Sequence, residues 1–562
     1  MAADITRHFA TVKGERQVHY RRAGSGPPVV LLHQSPTSSR EYIPLIRELA
    51  GMGFTVFSPD TPGNGLSDPF PGTDWKTMEE FADGVANLMT ELGIEKAPVY
   101  GFHTGGVCAL ALCLRHPERV TVAIMNGYIQ MSREEVDEIL ANYLPPLELN
   151  WSGSHLTWTW ARFREQVIFF PWYRKDTARR MNYDIPPPAS LQTSVMDFLK
   201  CQDYRRAYRP AFLFDCAAAV RAMTGNMVIT TTQTDVLNKY HALMPRPPAN
   251  VRTFNPATAD EAKAIYVKLI AENPAPGPAP VVAPTTPMPG RLWQEYFQVE
   301  GGSLYARRNT DGHDGKGGGR PIVFIHASAA SSHAMDRYMT PLIGKRPVLA
   351  IDLPGNGESD NPMGPAVTVE AQAKYLGQAI AAAGYSEVDV FGHWGGGCVG
   401  IELALQKPGL VKHLALPTLM VLDDVTREEY LAHYTPTIEL EEFGAHWIKV
   451  WNMVRDQELF SPWYKRKKDH IIRTGEPDIA PEVIHRRTVD LFKCLDIYQG
   501  AYAAHFRYPV LARLAQVRCP VLLANPDAGT TKMALAAAKT ATARPLPRDF
   551  AALADALLSF FG

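Results

Sequence analysis

The sequence lacks most of the features that would place it outside ordinary globular enzymes and binding proteins. It has no uninterrupted apolar run near the roughly 18 residues that span a bilayer. The opening stretch MAADITRHFATVKGE has no apolar h-region of a secretory leader. The seven cysteines are scattered and form no CxxC pair, which argues against a disulfide framework or a structural zinc site. There is no excess of either charge: the formal net charge is -1, so nothing in the electrostatics calls for nucleic acid or an anionic membrane. The expectation is a reduced, cytoplasmic protein with a small-molecule partner and no cofactor.

What is present is one unit written twice. A proline-rich stretch, ENPAPGPAPVVAPTTPMPG (272–290), carries neither helical nor strand periodicity and reads as a linker. On its two sides the same landmarks recur in order. PPVVLLHQSPTSS (27–39) is echoed by PIVFIHASAASS (321–332), FSPDTPGNGLSD (57–68) by LAIDLPGNGESD (349–360), and PVYGFHTGGV (98–107) by VDVFGHWGGGC (388–398). Each short apolar run followed by a glycine-rich turn and a helical pattern is a βα unit of a parallel, doubly wound sheet. The echo continues through a tryptophan- and arginine-rich helical insert. His155, Trp160, Arg164 and Gln166 recur as His446, Trp451, Arg455 and Gln457, and PWYRK (171–175) answers PWYKR (462–466). The reading is a duplicated domain: residues 1–271 with a cap at about 131–215, and residues 291–562 with a cap at about 422–508. Such a duplication lets the two domains pair within one chain.

A strand, then Gly-x-residue-x-Gly, then a helix resembles the nucleophile elbow of α/β-hydrolases. The HQSP and HASA loops are similar to that family's oxyanion segment, and the resemblance covers nearly the whole chain, twice. The first half resembles a branch whose elbow reads Gly-x-His-Thr-Gly. The resemblance implies two tandem α/β-hydrolase domains, each a mostly parallel doubly wound sheet with a helical cap over a pocket.

The departures bear on chemistry. The elbow position holds His103 in GFHTG and Trp394 in GHWGG, so neither elbow supplies an activated hydroxyl and the protein is expected to ignore serine-directed reagents. The family's histidine after the last strand has no counterpart in 249–270 or 541–561. An acid remains in each half, Asp235 and Asp527, and an acid without its histidine orients nothing in the triad sense. Histidine is the side chain whose ordinary pKa lies nearest neutral pH, so His103 suits a base or a nucleophile; the alternative is that it only fills the space of a lost serine.

Around it, the backbone N–H groups of Gln34 and Thr104 match the oxyanion donors, with the Gln34 amide as a third. His33 underlies that loop or takes a direct part. The cap offers His155, Trp160, Arg164 and Tyr173, with Trp160 and Arg164 four apart on one helix face and the arginine suited to a carboxylate or enolate. Cap packing explains their recurrence equally. A metal set of His33, His103, His155 and Asp60 lacks any metal-binding spacing, so no metal is expected. The second half, with Trp394, His393 and His326 at the matching positions, reads as a degenerate site plugged by the tryptophan.

Two functions stay open. One is an unconventional enzyme acting on a carbonyl-containing small molecule, by ester or lactone hydrolysis, C–C cleavage or lyase chemistry. The other is a catalytically inactive small-molecule-binding protein.

Overall fold

A computed structural model describes residues 4–311 and 319–562. The chain folds into two compact units: residues 1–148, 155–286 and 440–444, and residues 149–154, 287–439 and 445–562.

Unit 1 is built on an eight-stranded sheet. An antiparallel pair, β1 (Thr6–Val12) and β2 (Arg16–Ala23), leads into β3 (Pro28–Leu32), β4 (Thr55–Pro59), β5 (Ala97–Phe102), β6 (Val120–Asn126), β7 (Met227–Thr230) and β8 (Val251–Phe254). The spatial order is β1-β2-β4-β3-β5-β6-β7-β8, and from β4 through β8 all neighbours are parallel. The central strands are buried along their length because helices cover both faces, which is why they read as continuous apolar runs rather than alternating ones. Between β6 and β7 the chain leaves the sheet for the helices Arg133–Asn142, Ser154–Gln166, Pro188–Lys200, Arg205–Leu213 and Cys216–Arg221. The strand order reverses between β4-β3 and β3-β5, so the loops after β3 and β5 diverge and leave a crevice at their carboxyl ends.

Unit 2 repeats the plan. Its strands are β9 (Trp293–Val299), β10 (Gly302–Asn309), β11 (Ile322–Ile325), β12 (Val348–Ile351), β13 (Val388–Gly392), β14 (Val411–Leu416), β15 (Val521–Leu523) and β16 (Ala541–Ala543). They lie in the order β9-β10-β12-β11-β13-β14-β15-β16, the order of unit 1. The expected fold class, two tandem mostly parallel doubly wound sheets each with a helical insert, is what the chain adopts. The proline-rich segment is not detached from unit 1: Ala279 N–H donates to Gly26 O (2.7 Å) and the Thr11 hydroxyl donates to Thr286 O (2.7 Å). Among the described residues no helix is long and apolar enough to cross a membrane.

Candidate functional site

The turn after β5 explains the glycines of GFHTG. A Cβ on Gly101 would sit 2.0 Å from Gly105 O, and one on Gly105 would sit 1.9 Å from Leu32 O, so strand, turn and helix approach this closely only because both residues are bare. Between them His103 has φ 46° and ψ −111°, a left-handed conformation costly for any side chain. It stands at the start of the helix Thr104–Arg115. Its N–H is tied to Asn126 O (2.8 Å), and its carbonyl accepts from Val107 N–H (2.9 Å).

The imidazole has an acid partner. His103 Nε2 lies 3.0 Å from Asp235 Oδ2 and 3.3 Å from Oδ1, with the histidine side chain 25% exposed and the aspartate 7%. Asp235, beyond β7, also accepts Leu237 N–H at 2.7 Å. Burial alone would raise its pKa, but His103 and the Leu237 N–H outweigh that and hold the carboxyl below its ordinary value. The carboxylate therefore orients the elbow histidine itself, which overturns the expectation that Asp235 had nothing to orient. The ring stacks on Phe102 with centroids 3.9 Å apart. A Cβ on Gly127 would come within 2.4 Å of His103 Cδ2, so that glycine is what lets the ring lie here.

His103 and Asp235 open into a cavity of about 310 Å³. Its walls include Gln34, Thr104, Phe170, Met181 and Phe212, with Tyr143, Tyr183 and Tyr208 adding phenols. A second cavity of about 590 Å³ takes Glu138, Arg174 and Tyr173 into its walls. The Tyr173 hydroxyl donates to Glu138 (3.1 Å), and Tyr173, expected among the substrate-binding cap residues, lines this second cavity rather than the one at His103.

Several other expected roles change. The Gln34 backbone N–H and side-chain amide both donate to Glu41, at 3.2 and 3.0 Å, and the Thr37 hydroxyl donates to the same carboxyl at 2.7 Å. The two Gln34 donors assigned to an oxyanion are thus taken up by the chain's own Glu41. Burial pushes that carboxyl above its ordinary value, with the Thr37 hydroxyl, His33, the Gln34 N–H and His103 offsetting only part of it. His33 is fully buried and structural. Thr61 N–H donates to its Nε2 (2.8 Å), so the proton sits on Nδ1, which donates to Gln34 O (2.7 Å).

Asp60 is held by His19 Nδ1 (2.8 Å), Ser39 N–H (2.7 Å) and Leu66 N–H (2.9 Å) and takes no part in the cavity. His155 and Trp160 are buried in their helix and are not in the cavity wall, and burial pushes His155 down to about 4. Arg164 is not in that wall either. The buried cap arginine is Arg162, 2% exposed, with the rings of Tyr143, Phe163, Trp172, Phe198 and Tyr204 5.3–5.7 Å from its Cζ. It donates to Gln166 (3.1 Å), itself a cavity residue. A count along the helix from Glu165 and Gln166 could have raised Arg162 over Arg164; apart from adjacent Phe163, its aromatic surroundings come from other segments and left no local signal. Among the described residues no group of three or more His, Cys, Asp or Glu is placed to hold a metal ion.

In unit 2 the elbow backbone is kept: Trp394 has φ 51° and ψ −119° between close-packed Gly392 and Gly396. Its side chain, however, is 49% exposed, which corrects the expectation that it plugs a pocket. Its N–H donates to Thr418 Oγ1 (2.9 Å). His326 repeats His33, fully buried with Leu353 N–H on Nε2 (2.9 Å) and Nδ1 donating to Ala327 O (2.7 Å). His393 is pushed down to about 4 by burial, with Arg337 and Arg487 adding to the effect.

The sequence profile of the alpha/beta hydrolase fold matches residues 27–148 and 320–428, covering β3 to β6 with the elbow in unit 1 and β11 to β14 with the elbow in unit 2. Both units thus carry the α/β-hydrolase fold. Among curated proteins it is 44% identical over 110 residues to the soluble epoxide hydrolase of Corynebacterium sp. (strain C12), covering 19% of this chain and 37% of that protein. It is 33% identical over 134 residues to bifunctional epoxide hydrolase 2 of Rattus norvegicus, covering 24% of each. The matches thus span well under half the length of those relatives. Among solved structures, an epoxide hydrolase from Vigna radiata is 17% identical with a TM-score of 0.36, covering 48% of this chain and 97% of the other.

Proposed function

We propose that unit 1 is an enzyme in which His103, held by Asp235, acts as general base on a small, largely apolar molecule with an electrophilic carbon. With Nε2–H donated to the carboxylate, Nδ1 is the proton-free nitrogen, and it takes a proton from water as that water attacks the carbon. Asp235 stabilises the imidazolium that forms, and the imidazolium returns its proton to the ester, lactone or epoxide oxygen as the C–O bond breaks. A carboxylic ester or lactone supplies such a carbon, and so does the epoxide for which the similar hydrolases are named. The depressed carboxyl of Asp235 stays ionised beside the ring, which is the state that orients His103 and balances the charge it gains. One observation carries the reading: a histidine in a strained elbow turn, bonded to a buried acid, in the wall of a cavity of ligand size.

Turnover of a panel of aryl esters, lactones, β-diketones and epoxides, with His103→Ala and Asp235→Asn as controls, tests it. A substrate whose kcat/KM falls about 10²–10⁴-fold in both variants is the expected result. Rapid-quench mass spectrometry should find no substrate fragment on His103; a covalent adduct there would make it a nucleophile instead.

A second reading, a pocket that binds without turning over, is favoured by the engagement of both Gln34 donors by Glu41. Saturable binding that survives His103→Ala, with no turnover of any panel member, would decide for it.

A further inference from the structure

Unit 2 keeps a serine–histidine contact away from its elbow. The Ser328 hydroxyl, in the loop after β11, is in short hydrogen-bond contact with His505 Nδ1, and His505 Nε2 lies 2.9 Å from Gln372 Oε1. Three separate segments supply this relay: the HASA loop, the helix Tyr498–Arg507 and the helix Val369–Ala382. With Gln372 Oε1 facing the ring, Nε2 carries the proton and Nδ1 is the acceptor for the serine O–H. His505 and Gln372 are both buried to 1% exposure, whereas Ser328 is only partly buried. Burial pushes His505 down to about 3, with His326 adding to the effect, so the ring is neutral near pH 7.

The surroundings suit an acyl group. A Cβ on Gly395 would fall 2.2 Å from His505 Nδ1, so the glycine after Trp394 makes room for the ring and sets the pair beside the first turn of the twelve-residue helix Gly395–Gln406. Partial positive charge at such a helix start favours a developing oxyanion. The loop donor that Glu41 engages in unit 1 meets no such carboxyl here, because Ala334 stands at the same spacing from His326 as Glu41 does from His33. Ala329, next to Ser328, has φ 53°, a left-handed conformation for a non-glycine residue beside the hydroxyl.

Unit 1 supplies the contrast. Its matching serine, Ser35, is buried with its hydroxyl unpartnered, and Phe212 stands at the spacing from Cys201 that His505 has from Cys494.

We propose that Ser328, His505 and Gln372 form a second esterolytic centre, in which Ser328 is the nucleophile toward small activated carboxylic esters. Ser328 Oγ bonds to the acyl carbon as its proton passes to His505 Nδ1. The ester C–O bond breaks, and the leaving alkoxide takes that proton and departs as alcohol. Water then gives a proton to His505 and its oxygen to the acyl carbon. The carboxylic acid leaves, and the proton returns to Ser328 Oγ.

The test is labelling of the full-length protein with a fluorophosphonate, the adduct being mapped by peptide mass spectrometry. One adduct per chain on Ser328 is expected, absent from Ser328→Ala and formed about 10²-fold more slowly in His505→Gln. Gln372→Leu serves as the second variant if His505→Gln does not fold, and should also slow labelling. An unlabelled Ser328 in the wild-type protein, or a labelling rate indifferent to these substitutions, overturns the proposal. His103→Ala leaves the Ser328 adduct intact, which separates this centre from the one in unit 1.

Discussion

At the turn that opens the central helix, the two units hold nearly the same backbone and different chemistry. In unit 1 the residue there is bonded to a buried acid and lines a cavity; in unit 2 it is a tryptophan lying half exposed. The acids diverge as well: Asp235 reaches the elbow side chain, whereas Asp527 is solvent-exposed. In unit 2 the buried histidine comes instead from the insert, as His505, and meets a serine of the loop that unit 1 closes with Glu41. The same scaffold thus keeps the elbow geometry while the histidine with a side-chain partner sits at a different place in the chain. Loss of the family's serine from a motif is therefore weak grounds for calling a domain inert.

The comparison breaks most sharply at His103. His103→Ala and Asp235→Asn should each lower unit 1 turnover about 10²–10⁴-fold while Trp394→Ala leaves it within twofold, measured as kcat/KM on one panel substrate. Equal losses from both elbows would show that the units share one reaction. Next in size is Gly127→Ala. Its φ of 93° and the His103 ring 2.4 Å from the added Cβ predict a loss of about 1–3 kcal/mol by chemical denaturation, with a drop in kcat because the ring must leave Asp235.

A subtler contrast lies in the pH dependence of stability. Asp235 is depressed in the fold, so its contribution is present above the unfolded value of about 3.9 and is lost as pH falls through the folded value. Glu41 is raised, so its contribution is present below about 4.3 and is lost as pH rises through the folded value. Glu41→Gln, neutral throughout, should therefore gain Tm over wild type as pH rises from 4 to 8, and a gain that shrinks over that range would contradict the assignment. Smallest of all should be Trp394→Ala in stability. A half-exposed ring loses little packing, so a change within about 0.5 kcal/mol is expected, and a loss of several kcal/mol would restore the plugged pocket.

The fold was open to reading because its information is local. Apolar runs such as PVVLL and the bare glycines of GFHTG and GHWGG mark strands and close approaches within a few residues. Asp235 could be named from its place after β7, since chain order alone brings that loop toward the elbow. The contacts that change the chemistry are of two other kinds. Ser328 with His505, and Arg162 with rings from five positions, join segments whose neighbours no periodicity predicts. Glu41 is only seven residues from Gln34, yet its closure over that amide depends on how the 3₁₀ turn Ser39–Tyr42 folds back. Trp394 misled for a further reason: an elbow fixes the backbone, and the exposure of a large ring is settled by what surrounds the turn.

That the turn survives with φ near 50° under two such different side chains means the site is a mould independent of what is cast in it. The constraint is set by Gly101 with Gly105 and by Gly392 with Gly396, whose bare α-carbons force strand and helix together. A small nucleophile written into position 394 would arrive on a backbone already bent to present it, with no loop to rebuild. For a protein engineer, the second unit accordingly offers the bend ready made, while a base and an acid would still have to be brought to it.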